Sequence, residues 1–234
     1  MELPEVDAMF HLAAMTRPQE SVSSPEITHR INVDGTFNML MNCHKHKIKH
    51  FIFASSASVY GEQKRYPVKE KSSLNLMTPY ALHKYIGEKY CRLFSDLYGV
   101  KTTCLRLFNV YGDGMNPYGE YSSLIPKFKR MAREGSQPTI YGTGEQKRDF
   151  VHVDDVVNAF IQATKVSGTF NIGSGKCYSV NEVFEMIFKN KNTEPLYGSP
   201  QIEPRKTLAD LSLSRKVLKW EPTISLEEGL EKLT

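Results

Sequence analysis

The stretch His50-Phe51-Ile52-Phe53-Ala54-Ser55-Ser56-Ala57-Ser58-Val59-Tyr60-Gly61 decides the fold. A short apolar run, His50–Ala54, reads as a strand buried in a parallel sheet. It breaks at once into small hydroxyl residues, and the C-terminal rim of such a sheet is where ligands bind. Upstream, Ala8–Ala14 is a second short apolar run leading into polar residues. Between the two, a helix is expected to open at Ser24-Pro25, because serine can cap it and proline suits the first turn. Ile27, Ile31, Leu40 and Met41 then fall at helical spacing and are expected on its apolar face. Downstream, a helix is expected from Pro79 to Tyr98 and is stopped by Gly99; Thr102–Leu107 is the third strand. This alternation implies right-handed crossovers and an α/β fold, a parallel sheet with helices on its faces.

From about residue 112 the texture changes to longer polar loops and shorter elements. A helix near 122–134, strands at Thr139–Tyr141, Phe150–Val153 and Thr169–Ile172, and a helix from Asp154-Asp155 are expected. Ser179-x-x-Glu182 and Ser225-x-x-Glu228 read as capping boxes of two late helices. Composition is that of an ordinary globular protein, 40% hydrophobic and 24% charged, so disorder is excluded. A net charge of +4 suits diphosphate binding and is too weak to argue for nucleic acid. No apolar run approaches the roughly 20 residues that cross a bilayer. The acidic start, MELPEVDAMFHLAA, is unlike a secretory signal, so a cytoplasmic location with no membrane partner is expected. Cys43, Cys91, Cys104 and Cys177 are too scattered for a disulfide framework or zinc site and read as reduced thiols. The run Cys43–His50 reads as a basic helix end, and no metal site is expected.

Tyr80-Ala81-Leu82-His83-Lys84 carries the chemistry. A spacing of four puts Tyr80 and Lys84 on one helix face, one turn apart. An ammonium beside a phenol favours the phenolate, so Lys84 is expected to lower the Tyr80 pKa and make it a general base. A serine at the end of the His50–Ala54 strand can hydrogen-bond the hydroxyl whose proton the tyrosine takes.

Seven blocks occur in one order: H-L-A-A, N-V-D-G-T, F-A-S-S-A-S-V-Y-G, P-Y-A-L-H-K, L-R-L-F-N-V-Y-G, I-Y-G-T-G-E-Q-K-R-D-F-V-H-V-D-D and K-W-E-P. Together they resemble the extended short-chain dehydrogenase/reductases, nearest the UDP-glucose 4-epimerase-like branch, from about Val6 to the C-terminus. The resemblance implies a partial Rossmann-type doubly wound sheet with a smaller C-terminal substrate-binding lobe. Residues 1–111 with parts of 139–172 would form the NAD-binding part, and 112–138 with 173–234 the nucleotide-sugar lobe. It implies Ser56 as the active-site serine, Tyr80 as the base and Lys84 as the lysine holding the nicotinamide ribose. Leu12, Ala13, Ala14, Met15 and Thr16 match the loop over the cofactor, with Ser55 and Phe108 also on the cofactor side. Asn32 reads equally as a cofactor contact or a structural hydrogen-bonder. On the substrate side, Asn109, Leu124, Thr139, Tyr141 and Arg148 match the diphosphate and uridine pocket. Arg205 matches a later phosphate arginine or is a surface charge, since the segment before Ala209-Asp210 is shorter than in many relatives.

The implied reaction is 4-epimerisation of a UDP-sugar: the tyrosine takes the O4 proton, the C4 hydride passes to NAD, and the sugar receives it back on its other face. Dehydratases and decarboxylating relatives carry a glutamate where Ser58 stands, and dehydratases add an aspartate where Ala57 stands, so epimerase is favoured over both. A homodimer through the helices near 25–44 and 79–98 is also implied. The glycine-rich fingerprint that holds the NAD pyrophosphate is not found in these residues. Gly142-x-Gly144 reads as a turn. An absent stretch on the order of 60 residues is expected, two strand–helix units' worth. The chain is then either a piece of a working epimerase or a non-catalytic nucleotide-sugar-binding module.

Overall fold

The computed structural model describes residues 6–118, 123–189, 191–201 and 203–233. Strand β1 (Ala8–His11) leads through a loop to α1 (Pro18–Ser23) and α2 (Pro25–His29); a π-helical turn (Arg30–Asp34) then joins α2 to α3 (Gly35–Lys45). There follow β2 (His50–Ser56), a 3₁₀ turn (Ala57–Tyr60), α4 (Pro79–Tyr98), β3 (Lys101–Leu107) and β4 (Asn109–Tyr111). The rest comprises α5 (Leu124–Glu134), β5 (Thr139–Tyr141), β6 (Lys147–Arg148), β7 (Phe150–His152), α6 (Val153–Ala163) and β8 (Gly168–Ile172). It ends with β9 (Tyr178–Ser179), α7 (Val180–Phe188), β10 (Leu196–Gly198), a second π-helical turn (Ser214–Leu218) and α8 (Leu226–Lys232). The expected helix near 122–134 begins at Leu124; position 122 lies outside the described residues.

The main sheet is parallel in the order β1-β2-β3-β8. Strand β2 is buried on both faces because its side chains alternate between two cores. Phe51 and Phe53 pack with Leu40, Cys43, Cys91 and Phe94 of α3 and α4. Ile52 and Ala54 pack with Leu105, Val156 and Phe160 on the α6 side. Burial of such side chains stabilises by about 1.5–3 kcal/mol each, before the entropy of ordering the chain is subtracted. Gly87 lets α4 lie directly on β2: a Cβ there would meet the Phe53 ring at 2.5 Å. Gly99, at φ 68°, closes α4 in the left-handed conformation that glycine adopts freely.

The apolar face expected for the α2–α3 helix is corrected in its first turns. Leu40 is buried, but Ile27 and Ile31 are 54% and 42% exposed. The inward stripe there is polar: Thr28, Asn32 and Thr36. Asn32 holds both backbone groups of Met15 in the loop after β1, Thr36 meets the His11 ring of β1 at 3.0 Å, and Thr28 bonds the Ser24 and Pro25 carbonyls of its own helix.

A second apolar cluster joins Tyr111, Ile125, Phe128, Ile140, Phe150, Val183 and Leu230. Both capping boxes form, with Ser179 and Glu182 satisfying α7 and Ser225 and Glu228 satisfying α8. Two carboxylates tie these parts to the main sheet. Buried Asp149 accepts from the backbone N–H groups of Ser174, Gly175 and Ala209. Asp155 accepts from Thr223 and Ile224, while its own carbonyl takes the Trp220 indole N–H at 2.8 Å. Among the described residues no helix is long and apolar enough to cross a membrane, and no His/Cys/Asp/Glu group could hold a metal ion.

Candidate active site

Tyr80 sits in the first turn of α4, whose N-cap Thr78 accepts from Ala81 N and whose Pro79 needs no hydrogen-bond acceptor. Its backbone N–H donates to Ser21 Oγ at 3.0 Å, fastening this turn to α1. One turn on, the Lys84 ammonium is buried and donates to the Ala54 carbonyl at 2.8 Å. It lies 5.1 Å from the Phe53 ring centroid and 5.8 Å from that of Tyr80. Ser56, ending β2, caps the 3₁₀ turn by accepting from Ser58 N at 3.2 Å. The strand end and the helix face thus bring Ser56, Tyr80 and Lys84 to one rim of the sheet.

The expected lowering of the Tyr80 pKa by Lys84 is corrected. Burial pushes the phenol up to about 12, opposed by a hydrogen bond with Ser56, and Lys84 is not among the causes. The ammonium is directed at the Ala54 carbonyl instead. Burial also depresses Lys84, from 10.5 to about 8. The unfolded chain therefore binds that proton more tightly than the fold does. The cost to stability is full below about pH 8 and vanishes above about 10.5. Lys84→Met is accordingly expected to be more stable than wild type at pH 7. The gain is about 2 kcal/mol after allowance for the lost hydrogen bond, or ~4–8 °C in Tm. Thermal melts at pH 7 and pH 10 check this, and an advantage that does not shrink at pH 10 would refute it.

A single cavity of about 730 Å³ runs from this rim into the second cluster. Leu12, Thr16, Ser55, Ser56, Tyr80, Lys84, Phe108, Asn109, Leu124, Thr139, Tyr141 and Arg148 all line it. Ala13, Ala14 and Met15 are not in the lining, and Asn32 serves the Met15 backbone with both ends of its amide. Arg205 is exposed and outside the lining; its backbone N–H donates to Glu62. Asn109 faces the cavity, but its Nδ2 already donates to the Asp149 carbonyl and Thr207 Oγ1. Ser55 donates its hydroxyl to Glu88.

Sequence reasoning missed several members. Lys127 stands three residues beyond Leu124 on α5, with its ammonium 5.7 Å from the Tyr141 ring centroid. Arg17 and Glu203 also line the cavity, and Glu203 pairs with Arg148 at 2.6 Å. Glu88 lies one turn beyond Lys84. Both its oxygens bind the buried Arg106, which in turn reaches the Tyr60 hydroxyl and the Glu70 carbonyl. The four-residue step from Tyr80 to Lys84 to Glu88 was the available signal.

A parallel α/β sheet with a tyrosine, a lysine and a serine at its C-terminal rim defines a Rossmann-type enzyme of the short-chain dehydrogenase/reductase class. The model of the NAD dependent epimerase/dehydratase family matches residues 1–173, and the chain belongs to that family. A Methanocaldococcus jannaschii protein, provisionally described as a UDP-glucose 4-epimerase, is 38% identical over 235 residues, covering 98% of this chain and 76% of its own. The Thermotoga maritima UDP-glucose 4-epimerase crystallised with UDP-glucose superposes with a TM-score of 0.94 at 36% identity, over 96% of this chain and 75% of that one. A Bacillus cereus UDP-glucuronic acid 4-epimerase, in complex with UDP-glucuronic acid and NAD, gives a TM-score of 0.89 at 28% identity, over 97% and 73%.

NAD is the family's cofactor, and the residues present fit its nicotinamide–ribose end. The Lys84 ammonium has three donors, and among the described residues one acceptor, the Ala54 carbonyl, is recorded for it. It faces the same cavity as Ser55 and Tyr80, with donors left for sugar hydroxyls.

Proposed function

We propose that this protein interconverts UDP-glucose and UDP-galactose as an NAD-dependent 4-epimerase with Tyr80 as its base. One observation carries the reading: Ser56, Tyr80 and Lys84 share a cavity whose one carboxylate among the described residues, Glu203, is engaged by Arg148. Ala57 and Ser58 line the wall near Tyr80 and cannot relay protons as a carboxylic acid does. That favours plain epimerisation over dehydration or decarboxylation, which need a further acid beside the base.

When bound, NAD supplies the acceptor and donor for the C4 hydride. The chain's residues do the rest. Ser56 Oγ holds the sugar's O4 hydroxyl, and Tyr80 Oη removes its proton and later returns it. Lys84 engages ribose hydroxyls with the donors its bond to the Ala54 carbonyl leaves over. Arg148 and Lys127 take the diphosphate, a task suited to a planar guanidinium fork. Thr139 and Tyr141 hold uracil and ribose at the cavity's other end. This gives residues 1–111, with parts of 139–172, the hydride chemistry, and 112–138 with 173–234 the nucleotide sugar.

A homodimer is part of the proposal. Val22, Ile27 and Ile31 on the α1–α3 side and Leu82, Leu93 and Leu97 on α4 are large exposed apolar side chains on adjacent helices. Light scattering reads the mass directly, and 26.7 kDa would contradict the dimer.

The test is turnover. Purified protein with NAD is expected to convert UDP-galactose to UDP-glucose, with UDP-glucuronate and UDP-N-acetylglucosamine run beside it. Activity confined to either of the latter would replace the sugar assignment. Release of water or carbon dioxide would replace the reaction assignment.

A further inference from the structure

The cavity wall carries four basic side chains, Arg17, Lys84, Lys127 and Arg148, and, among the described residues, Glu203 as its one carboxylate. That carboxylate is already committed. Its Oε2 lies 2.6 Å from Arg148 Nη2, an ion-pair contact without hydrogen-bond geometry, and its Oε1 accepts from Gln146 Nε2 at 3.3 Å. The other terminal nitrogen of Arg148 donates to the Lys147 carbonyl at 2.9 Å. The Arg148 side chain is 10% exposed and that of Glu203 31%, so the pair is largely shielded from solvent. Such pairs are screened far less than surface ones.

The pairing is set by the backbone. Lys147 N donates to the Arg205 carbonyl at 2.8 Å and Thr207 N to the Lys147 carbonyl at 2.9 Å, bridging β6 to the segment that carries Glu203. This bridge fixes the register that brings Glu203 opposite Arg148.

A carboxylate and a phosphate offer a guanidinium the same kind of charged oxygen acceptors. Glu203 therefore occupies the place beside Arg148 where a diphosphate oxygen would bind. We infer that Glu203 is a built-in counterion that competes with the ligand's diphosphate for Arg148 and so sets the affinity for nucleoside diphosphates. This rests on the nucleotide-sugar reading of the cavity. A diphosphate reaching Arg148 must displace the carboxylate or lie close to it, and either costs binding energy. Without Glu203 the site would hold UDP, and any UDP-linked product, more tightly and release it more slowly.

Glu203→Gln keeps the shape and removes the charge, and Glu203→Ala removes both. Titration calorimetry with UDP and with uridine separates the diphosphate from the nucleoside. Both variants are expected to bind UDP about tenfold more tightly than wild type, with uridine affinity unchanged. UDP affinity that is unchanged, or weaker because Glu203 orders Arg148, overturns the inference and leaves the nucleotide reading intact. If neither wild type nor variant binds UDP, the nucleotide reading falls and the inference with it.

Discussion

With Tyr80 replaced by phenylalanine, epimerisation falls by about 10³-fold, within the range for removal of a positioned general base. The ring stays, so the packing of the first turn of α4 and its tether to Ser21 are kept. What goes is one oxygen, the atom that hydrogen-bonds Ser56 and is to take the proton from O4. The loss therefore belongs in kcat, with KM nearly unchanged, because Arg148, Lys127 and Tyr141 hold the nucleotide at the other end of the cavity. A transition-state-only contact gives that split. Steady-state kinetics on UDP-galactose with NAD measure it, and a melt of the variant separates catalysis from folding. A loss below tenfold would take the base away from Tyr80.

The parts of this molecule that were legible in the sequence are those governed by local rules. The His50–Ala54 run, the Pro79 start and Gly99 stop of α4, and both capping boxes are decided by residues within a few positions of one another. The placement of Tyr80 beside Lys84 is similarly a matter of helical repeat. What escaped was set by partners distant in sequence. Thr28, Asn32 and Thr36 are the buried side chains of these turns, Asn32 binding both backbone groups of Met15 and Thr36 the His11 ring, so Ile27 and Ile31 face outward despite their spacing. The Tyr80 pKa was misjudged because its burial is set by the tertiary packing around the start of α4, which helical spacing does not reveal. Glu203 was invisible for the same reason: its significance lies in Arg148, which a bridge between distant segments places opposite it.

Glu88→Ala should be the most destabilising single change near the site. Glu88 and Arg106 are each 6% exposed at the side chain. They meet in a two-pronged pair, Arg106 Nε on Oε1 at 2.8 Å and Nη2 on Oε2 at 2.7 Å. Removing the carboxylate strands a buried guanidinium that cannot shed its proton at working pH. Breaking such a pair from one side costs about 3–5 kcal/mol, which for a chain of this size lowers Tm by roughly 6–20 °C. The pair itself contributes far less than that, since each ion gives up its hydration on folding. The double variant Glu88→Leu/Arg106→Leu should therefore recover much of the loss, although Tyr60 and the Glu70 carbonyl then lose their shared partner. Urea denaturation of Glu88→Leu, Arg106→Leu and the double variant gives the coupling energy directly. If the double variant is as unstable as Glu88→Ala, the stabilising element is the network through Tyr60 and Asn171. If it recovers, the pair's contribution is positional: through Glu88 and Ser55 it ties the end of β2, where Ser56 stands, to the face of α4 that carries Tyr80 and Lys84.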